Sequence, residues 1–328
     1  MPRAPAFWSH NGLLARALSP LSMIGTTLTA RRVARPGWLA PVPVVCCGNV
    51  TVGGAGKTTL VLDLARRLKQ RGTDVHILLR GYGGSARGVH RVSPRDPVTL
   101  VGDEALLLAS LASTWTGADR AATARAAIDA GAQVLLMDDG LQNPTLLKTL
   151  GILVIDGATG FGNGRVLPAG PLREPLAAAI GRVQAAVLIG ADSTGVTAAL
   201  PAALPVLRAT LAQDAAIGTL AGHRILPFAG IALPEKFFTP LRRAGAVVVA
   251  AQPFPDHHVY RVRELDALLR RAAALDAMLV TTPKDAVRLP PAIRPRVTVI
   301  GVELVWNEPR RIDRLLDNMI GTALPATC

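Results

Sequence analysis

Aromatic side chains are scarce in this sequence, at 4% of 328 residues. Stacking platforms for single-stranded nucleic acid need such rings, and no Arg/Lys run stands out as a basic helix. Nucleic-acid binding therefore has no support beyond a net charge of +13. Cysteine is nearly absent too, with only Cys46, Cys47 and Cys328. The adjacent pair lies in an apolar run, where neighbouring strand residues point to opposite faces. It reads as two small buried hydrophobes and not as a disulfide. Neither a disulfide framework nor a metal-binding spacing exists, which fits a reducing compartment. Charged residues make up only 18% and hydrophobic residues 50%, which argues against disorder and supplies a large core. At this length two domains are expected. The basic excess asks for an anionic partner, such as phospholipid headgroups or a phosphorylated substrate.

The front end also lacks a hydrophobic run long enough to cross a membrane. Between Arg16 and Arg31 the uncharged stretch is 14 residues, and a spanning helix needs ~20. As a helix it would place Leu14, Leu18, Leu21 and Leu28 on one face. Ser19 and Pro20 read as an N-cap and first-turn pair, so two short helices are expected here. Trp8 and Trp38 bracket the segment, and Arg31, Arg32 and Arg35 follow it. Interfacial Trp with juxtamembrane Arg is the pattern of a helix lying among lipid headgroups. A core helix is the competing reading. A cleaved signal peptide conflicts with the nucleotide motif that follows.

What the sequence does contain is a phosphate loop. PVPVVCC (41–47) is a short β-branched run of the kind found in buried parallel strands. It leads into GNVTVGGAGKTT and then a helical pattern that stops at Gly72. Strand, glycine loop, Lys-Thr and helix together make a P-loop. Thr51, Val52, Gly53, Gly54, Ala55, Gly56, Lys57 and Thr58 would cradle ATP, with Thr51 where the motif usually has its first Gly. The glycines admit backbone N–H groups to the phosphates at the positive end of the helix dipole. Lys57 would reach the β- and γ-phosphates, and Thr58 would ligate Mg²⁺. A second strand, DVHILL (74–79), runs into RGYGG. A third, QVLLM (133–137), ends on Asp138-Asp139-Gly140. A hydrophobic strand ending in acid is the Walker B arrangement, which makes Asp138 the metal carboxylate. Asp138 and Asp139 as turn caps, Asp103 as a helix N-cap, and His257 and His258 as surface histidines are the plainer alternatives.

GNVTVGGAGKT, RGYGG, GDE (102–104), DDGLQ (138–142), GFGNGRVLPAGPLREP (160–175), FAGIALPEKFF (228–238), FPDHH (254–258) and KDAV (284–287) occur in this order. In this the chain resembles the tetraacyldisaccharide 4′-kinases over nearly its whole length. The resemblance implies transfer of the ATP γ-phosphate to the 4′-hydroxyl of a tetraacylated, 1-phosphorylated glucosamine disaccharide. This step makes lipid IVA in lipid A (lipopolysaccharide) biosynthesis, on the cytoplasmic face of the inner membrane. The protein would be peripheral or monotopic, and no protein partner is implied. By resemblance the base position falls on Asp103, the nearer to the reacting hydroxyl, with His257 as its dyad partner. Lys57 and Asp139 join them as catalytic residues. Arg80, Tyr82, Glu104, Gln142, Arg173 and Glu174 would line the site, Arg173 contacting substrate or phosphate, or only pinning the hinge to Glu174. Departures from the family pattern stand at Thr59, Leu79, Ala105, Leu141, Asn143 and Pro283.

The implied fold is α/β: a P-loop NTPase-like doubly wound sheet, a second, smaller α/β lobe, and an N-terminal membrane-docking helical segment. Further apolar runs at 151–156, 185–190, 224–231, 246–251, 278–282 and 296–304, with helical stretches at 234–244 and 263–276, support the second lobe. The expected division is a hydrophobic segment over 1–40, a P-loop lobe over 41–150, and a second lobe with hinge over 151–328. The last helix, RRIDRLLDNMIG, can pack on either lobe. A rival class is the membrane-associated switch ATPase of the deviant Walker A type. Its loop carries an extra Lys where this chain has Val52, which tells against it.

Overall fold

The computed structural model describes residues 5–323, so Cys328 lies outside the described residues. After helix α1 (Leu13–Val33) come β1 (Val44–Gly48), α2 (Lys57–Gln70), β2 (Val75–Leu79) and β3 (His90–Arg91). Next are α3 (Val98–Val101), α4 (Asp103–Ala109), β4 (Thr114–Thr116), α5 (Arg120–Asp129), β5 (Val134–Asp138) and β6 (Leu150–Asp156). The chain continues through α6 (Leu176–Ile180), β7 (Ala185–Ile189), β8 (Val206–Gln213), β9 (Arg224–Ala229), α7 (Glu235–Arg243), β10 (Val247–Val248) and β11 (Gln252–Pro253). It closes with α8 (Val262–Ala274), β12 (Met278–Thr281), α9 (Pro283–Ala286), β13 (Thr298–Val299), β14 (Val302–Trp306) and α10 (Pro309–Ala323).

A nine-stranded sheet has the order β14-β8-β7-β6-β1-β5-β2-β4-β3. It is parallel except for its antiparallel edge strands β14 and β3. Its strands are apolar on both sides because both faces are covered. Val45, Cys47, Ile77 and Leu136 pack with Leu60 and Leu64 of α2 on one face. Val44, Cys46, Leu78 and Leu135 pack with Ala124 and Ala127 of α5 on the other. Cys46 and Cys47 are thus separated by the sheet itself, and burial pushes the Cys46 thiol up to about 12. A second, five-stranded sheet is built on β9, which pairs with β10, β11 and β12.

The sheets divide the chain elsewhere than at 150/151. Strand β6 pairs directly with the P-loop strand β1, and β7, β8 and β14 extend the same sheet. The smaller sheet takes only the strands from β9 to β13. A buried parallel strand reads alike whichever sheet it joins, so hydrophobic pattern could not place this boundary. The last helix packs on the larger sheet, where Ile312, Leu316 and Met319 meet α2.

The front end forms one helix with Pro20 inside it, and not the two helices expected. Tertiary contacts to the 161–175 block hold it continuous past the proline. Ser22 Oγ donates to Val166 O at 2.7 Å. Arg165 donates to Ser19 Oγ, which itself donates back to Ala15 O at 2.8 Å. The small residues Ala15 and Ser22 therefore face the protein. Leu13, Leu14, Leu21, Met23, Ile24 and Leu28 are exposed, the last at 61%. The amphipathic sense is inverted relative to a core helix. Both bracketing tryptophans are half-buried: Trp8 Nε1 donates to Pro168 O at 3.1 Å, and Arg125 stacks 4.4 Å over the Trp38 ring.

Candidate active site

The P-loop leaves the carboxyl end of β1 and turns into α2 at Gly56, whose φ of +81° suits glycine. A Cβ there would also fall 2.7 Å from Ile189 Cδ1. Lys57 Nζ donates to Asn49 Oδ1 at 3.0 Å and lies 3.7 Å from Asp139 Oδ2. The Asn49 amide donates onward to Thr51 Oγ1 and Gly53 O, at 3.2 and 3.3 Å. Asn49, quoted within the motif but given no role from sequence, thus fixes both the loop and its lysine.

Thr58 Oγ1 donates to Asp138 Oδ2 at 3.0 Å, joining the first turn of α2 to the end of β5. Asp138 Oδ1 is buried without a hydrogen-bond partner. Burial first, and then the charge of Glu104, push the Asp138 carboxyl up to about 7, while Lys57 opposes the rise. Among the described residues no cluster of three or more His, Cys, Asp or Glu side chains could hold a metal by itself. A hydroxyl beside one carboxylate with an unused hard oxygen does fit Mg²⁺, which takes few protein ligands and completes its shell with water and phosphate oxygens.

Asp139 stands at φ +56° with its N–H on Cys47 O at 2.9 Å. Arg173 Nη1 donates to both its oxygens, at 3.0 and 2.9 Å. Arg173 therefore turns toward Asp139 and not to Glu174. Glu174 is 2% exposed and accepts from Gln142 at 2.8 Å and Arg182 at 2.6 Å. Gln142 also donates to Asn49 O at 3.1 Å, so Gln142 and Glu174 brace the P-loop from behind. Arg80 and Tyr82 are exposed at the end of β2, and the Arg80 charge acts on buried Arg120. The RGYGG loop packs against the GDE turn, where a Cβ at Gly102 would fall 2.6 Å from Tyr82 O.

Asp103 opens α4, and its Oδ2 lies 2.8 Å from His257 Nδ1, on a loop that follows β11 of the smaller sheet. His257 has φ +58°, and its N–H donates to Gly230 O at 3.1 Å. His258 instead reaches Glu264 at 3.0 Å and stacks on Phe254. Geometry thus separates two histidines that sequence could not. Arg288, given no role from sequence, donates to Asp103 Oδ2. Beside them Lys284 pairs with Glu104 at 3.2 Å. The KDAV motif just before Arg288 was the available signal. Asp103 is buried, which raises its pKa. The hydrogen bond from Arg288 and the charges of Lys284, Arg288 and His257 outweigh that and hold the carboxyl below its usual range.

Residues 14–321 match the family profile described as tetraacyldisaccharide-1-P 4′-kinase. The chain belongs to this family. It is 57% identical to a tetraacyldisaccharide 4′-kinase of Gluconacetobacter diazotrophicus, covering 98% of this chain and 99% of that one. It is 52% identical to its counterpart in Gluconobacter oxydans, over 96% and 97% of the two chains. A crystal structure of Aquifex aeolicus LpxK, described as an "apo" form in complex with ATP, is similar at TM-score 0.75 and 25% identity. That match covers 94% of this chain and all of the other.

The positions where this 4′-kinase family member departs from the expected pattern are absorbed locally. Leu79, Ala105 and Leu141 are buried, and Leu141 fills the space over Gly48. Asn143 Oδ1 closes a turn by accepting from Thr145 N and Oγ1, at 3.0 and 2.9 Å. Pro283 takes the first position of α9 behind its Thr282 cap, where a missing N–H costs nothing. Thr59, in the first turn of α2, is partly buried.

Proposed function

We propose that this chain transfers the γ-phosphate of ATP to the 4′-hydroxyl of a tetraacylated glucosamine disaccharide 1-phosphate, giving lipid IVA and ADP. One observation carries the reading. At the carboxyl ends of β1 and β5 a phosphate loop meets an acid with an unused oxygen, and Glu104, whose charge acts on that acid, is next in sequence to the carboxylate of the Asp103–His257 pair. Phosphoryl transfer asks for a phosphate cradle, charge stabilisation and a group to accept the hydroxyl proton.

In this reading the backbone of residues 51–56 and the α2 N-terminus hold the phosphates. Lys57, released from Asn49, follows the β- and γ-phosphates. Arg173 keeps Asp139 aligned and lends positive charge beside the transferred group. Thr58 and Asp138 would hold Mg²⁺, which would supply neutralisation of phosphate charge. The Asp103–His257 pair takes up the hydroxyl proton as the oxygen attacks phosphorus and the bond to ADP breaks. Exposed Arg80 and Tyr82 are placed to meet the sugar or its phosphate.

The same reading seats α1 on the cytoplasmic face of the inner membrane. Its exposed apolar side chains enter the headgroup layer, with Arg16, Arg31, Arg32 and Arg35 near anionic lipid. Among the described residues no helix is long and apolar enough to cross a membrane. Incubation with labelled ATP, Mg²⁺ and the disaccharide 1-phosphate lipid in detergent tests the activity. A bis-phosphorylated lipid is expected, and its absence with folded, nucleotide-binding protein would sink the reading.

A further inference from the structure

Residues 163–173 form a strap with one edge on α1 and the other on the P-loop. Along α1, Ser22 Oγ donates to Val166 O and accepts from Ala169 N at 3.4 Å. Arg165 reaches Ser19 Oγ and, through Nε, Asn11 Oδ1 at 2.7 Å. Along the P-loop, Val52 N donates to Pro171 O at 2.9 Å and Arg173 N to Val50 O at 2.7 Å. Between them Thr51 faces Leu172 in an antiparallel bridge. The main chain entering the phosphate cradle is therefore bonded to the strap as a short strand pair. A Cβ at Gly53 or Gly54 would meet nothing within 4 Å, so the tip of the cradle stands clear of packing. Its direction comes from its two ends: the first turn of α2 on one side, and the strap with Asn49 on the other.

Asn163 pins the strap. Its Nδ2 donates to Ala169 O at 2.9 Å and is shared with Phe7 O and His10 O, at 3.3 and 3.4 Å. Its Oδ1 accepts from Arg165 N at 3.1 Å, and its own N–H donates to Trp8 O at 2.7 Å. A Cβ at Gly170 would fall 2.1 Å from Asn163 Oδ1, so the strap folds closely over this side chain. Trp8 Nε1 returns to Pro168 O at 3.1 Å. One amide thus ties the turn before α1 to the strap, and the strap carries on to Val50 and Val52.

We infer that Asn163 is a positioning residue for ATP: it seats the strap on α1 and so holds the backbone of residues 50–52 in its phosphate-receiving conformation. This role rests on the kinase reading above and goes beyond it, because α1 then supports the nucleotide with its protein-facing side. Backbone N–H groups stabilise phosphate oxygens fully only when they are already aimed before the ligand arrives. A strap set loose leaves that ordering to be done on binding, which lowers affinity. The cradle meets ATP in the ground state and the transition state alike, so the loss belongs in KM for ATP and hardly in kcat.

The test measures ATP affinity by calorimetry of the full chain in detergent, with Asn163→Ala, Ser22→Ala and Thr27→Ala. Thr27 is exposed on α1, and its hydroxyl donates to Met23 O of the same helix at 2.9 Å. Asn163→Ala should weaken ATP binding roughly tenfold and Ser22→Ala about threefold, factors of the size that single hydrogen bonds supply. Thr27→Ala should match the parent. KM for ATP should follow these factors while kcat stays within about twofold. Amide exchange at Val52, measured without ATP, should quicken in Asn163→Ala while the β5 amides keep their protection. Ser22→Ala carries the test if the Asn163 variant does not fold. Unchanged ATP affinity in every strap variant that folds would overturn the inference. So would a fall in kcat at unchanged KM for ATP, the mark of lost folded protein, or a Thr27→Ala loss equal to that of Ser22→Ala. Calorimetry needs no lipid, so a parent that binds ATP yet makes no bis-phosphorylated lipid fails the kinase reading alone.

Discussion

Thr58 and Asp138 are joined by a 3.0 Å hydrogen bond that uses one carboxylate oxygen and leaves the other buried and unsatisfied. Unsatisfied buried acceptors are rare and costly, so one at a P-loop fits the proposal that Thr58 and Asp138 hold a cation. Lys57→Ala and Asp138→Ala should each lower kcat by at least ~10³, since cradle and metal stabilise charge on the transferred group. Steady-state kinetics of purified, folded variants decide this. Near-normal turnover in either would remove the P-loop kinase reading.

Asp103 and His257 should behave as one unit. Asp103→Ala, His257→Ala and the double variant are expected to lose similar factors in kcat, because removing either member disables the other. ATP affinity should hardly change. His258→Ala should be mild in kcat, its loss showing instead as a small fall in stability from the Glu264 bond and the Phe254 stack. A double-variant loss equal to the product of the single losses would show two independent residues.

Helix α1 should bind membranes from one side. Replacing Leu21 and Ile24 by Asp puts charge on the exposed apolar face and should move the protein off vesicles, with turnover of detergent-dispersed substrate retained. Alkaline or high-salt washing should release at least part of the parent from membranes. Complete resistance, with a protease-accessible N-terminus on the far side, would contradict a peripheral α1.

The α10 contact should be pH-dependent. Asp313 accepts from Arg71 at 2.7 Å and Arg67 at 3.0 Å. Burial raises its pKa, but these hydrogen bonds outweigh it and hold the carboxyl below its ordinary value of 3.8. A depressed pKa stabilises the fold above the unfolded value and loses that contribution as pH falls through the folded one. Asp313→Asn should therefore cost about 0.5–1 kcal/mol at neutral pH, a figure kept small because the Asp313 side chain is a third exposed. The difference from the parent should shrink below about pH 4. Equal gaps in denaturation midpoint at pH 7 and pH 3 would refute the assignment.

Sequence by itself determined the parts whose chemistry is local. A glycine loop between a β-branched strand and a helix, ending in Lys57-Thr58, needs no distant residue to be recognised. Nor does a strand that runs into Asp138-Asp139. The continuous apolar runs declared buried parallel strands, and Cys46 and Cys47 fell on opposite faces because strand periodicity is two. The fold class followed from the same patterns. Everything that depends on which distant elements meet was decided by tertiary structure. Pro20 stays within a helix because Ser22 and Arg165 tie both its flanks to the 161–175 block. β6 to β8 join the P-loop sheet because a strand buried on both faces pairs wherever edges and crossovers allow. His257 differs from His258 only in what each touches, Asp103 in one case and Glu264 in the other. Arg288 meets Asp103 across 185 residues of chain. Its spacing carries no trace of that contact, because a buried ion pair is a property of two surfaces brought together by packing.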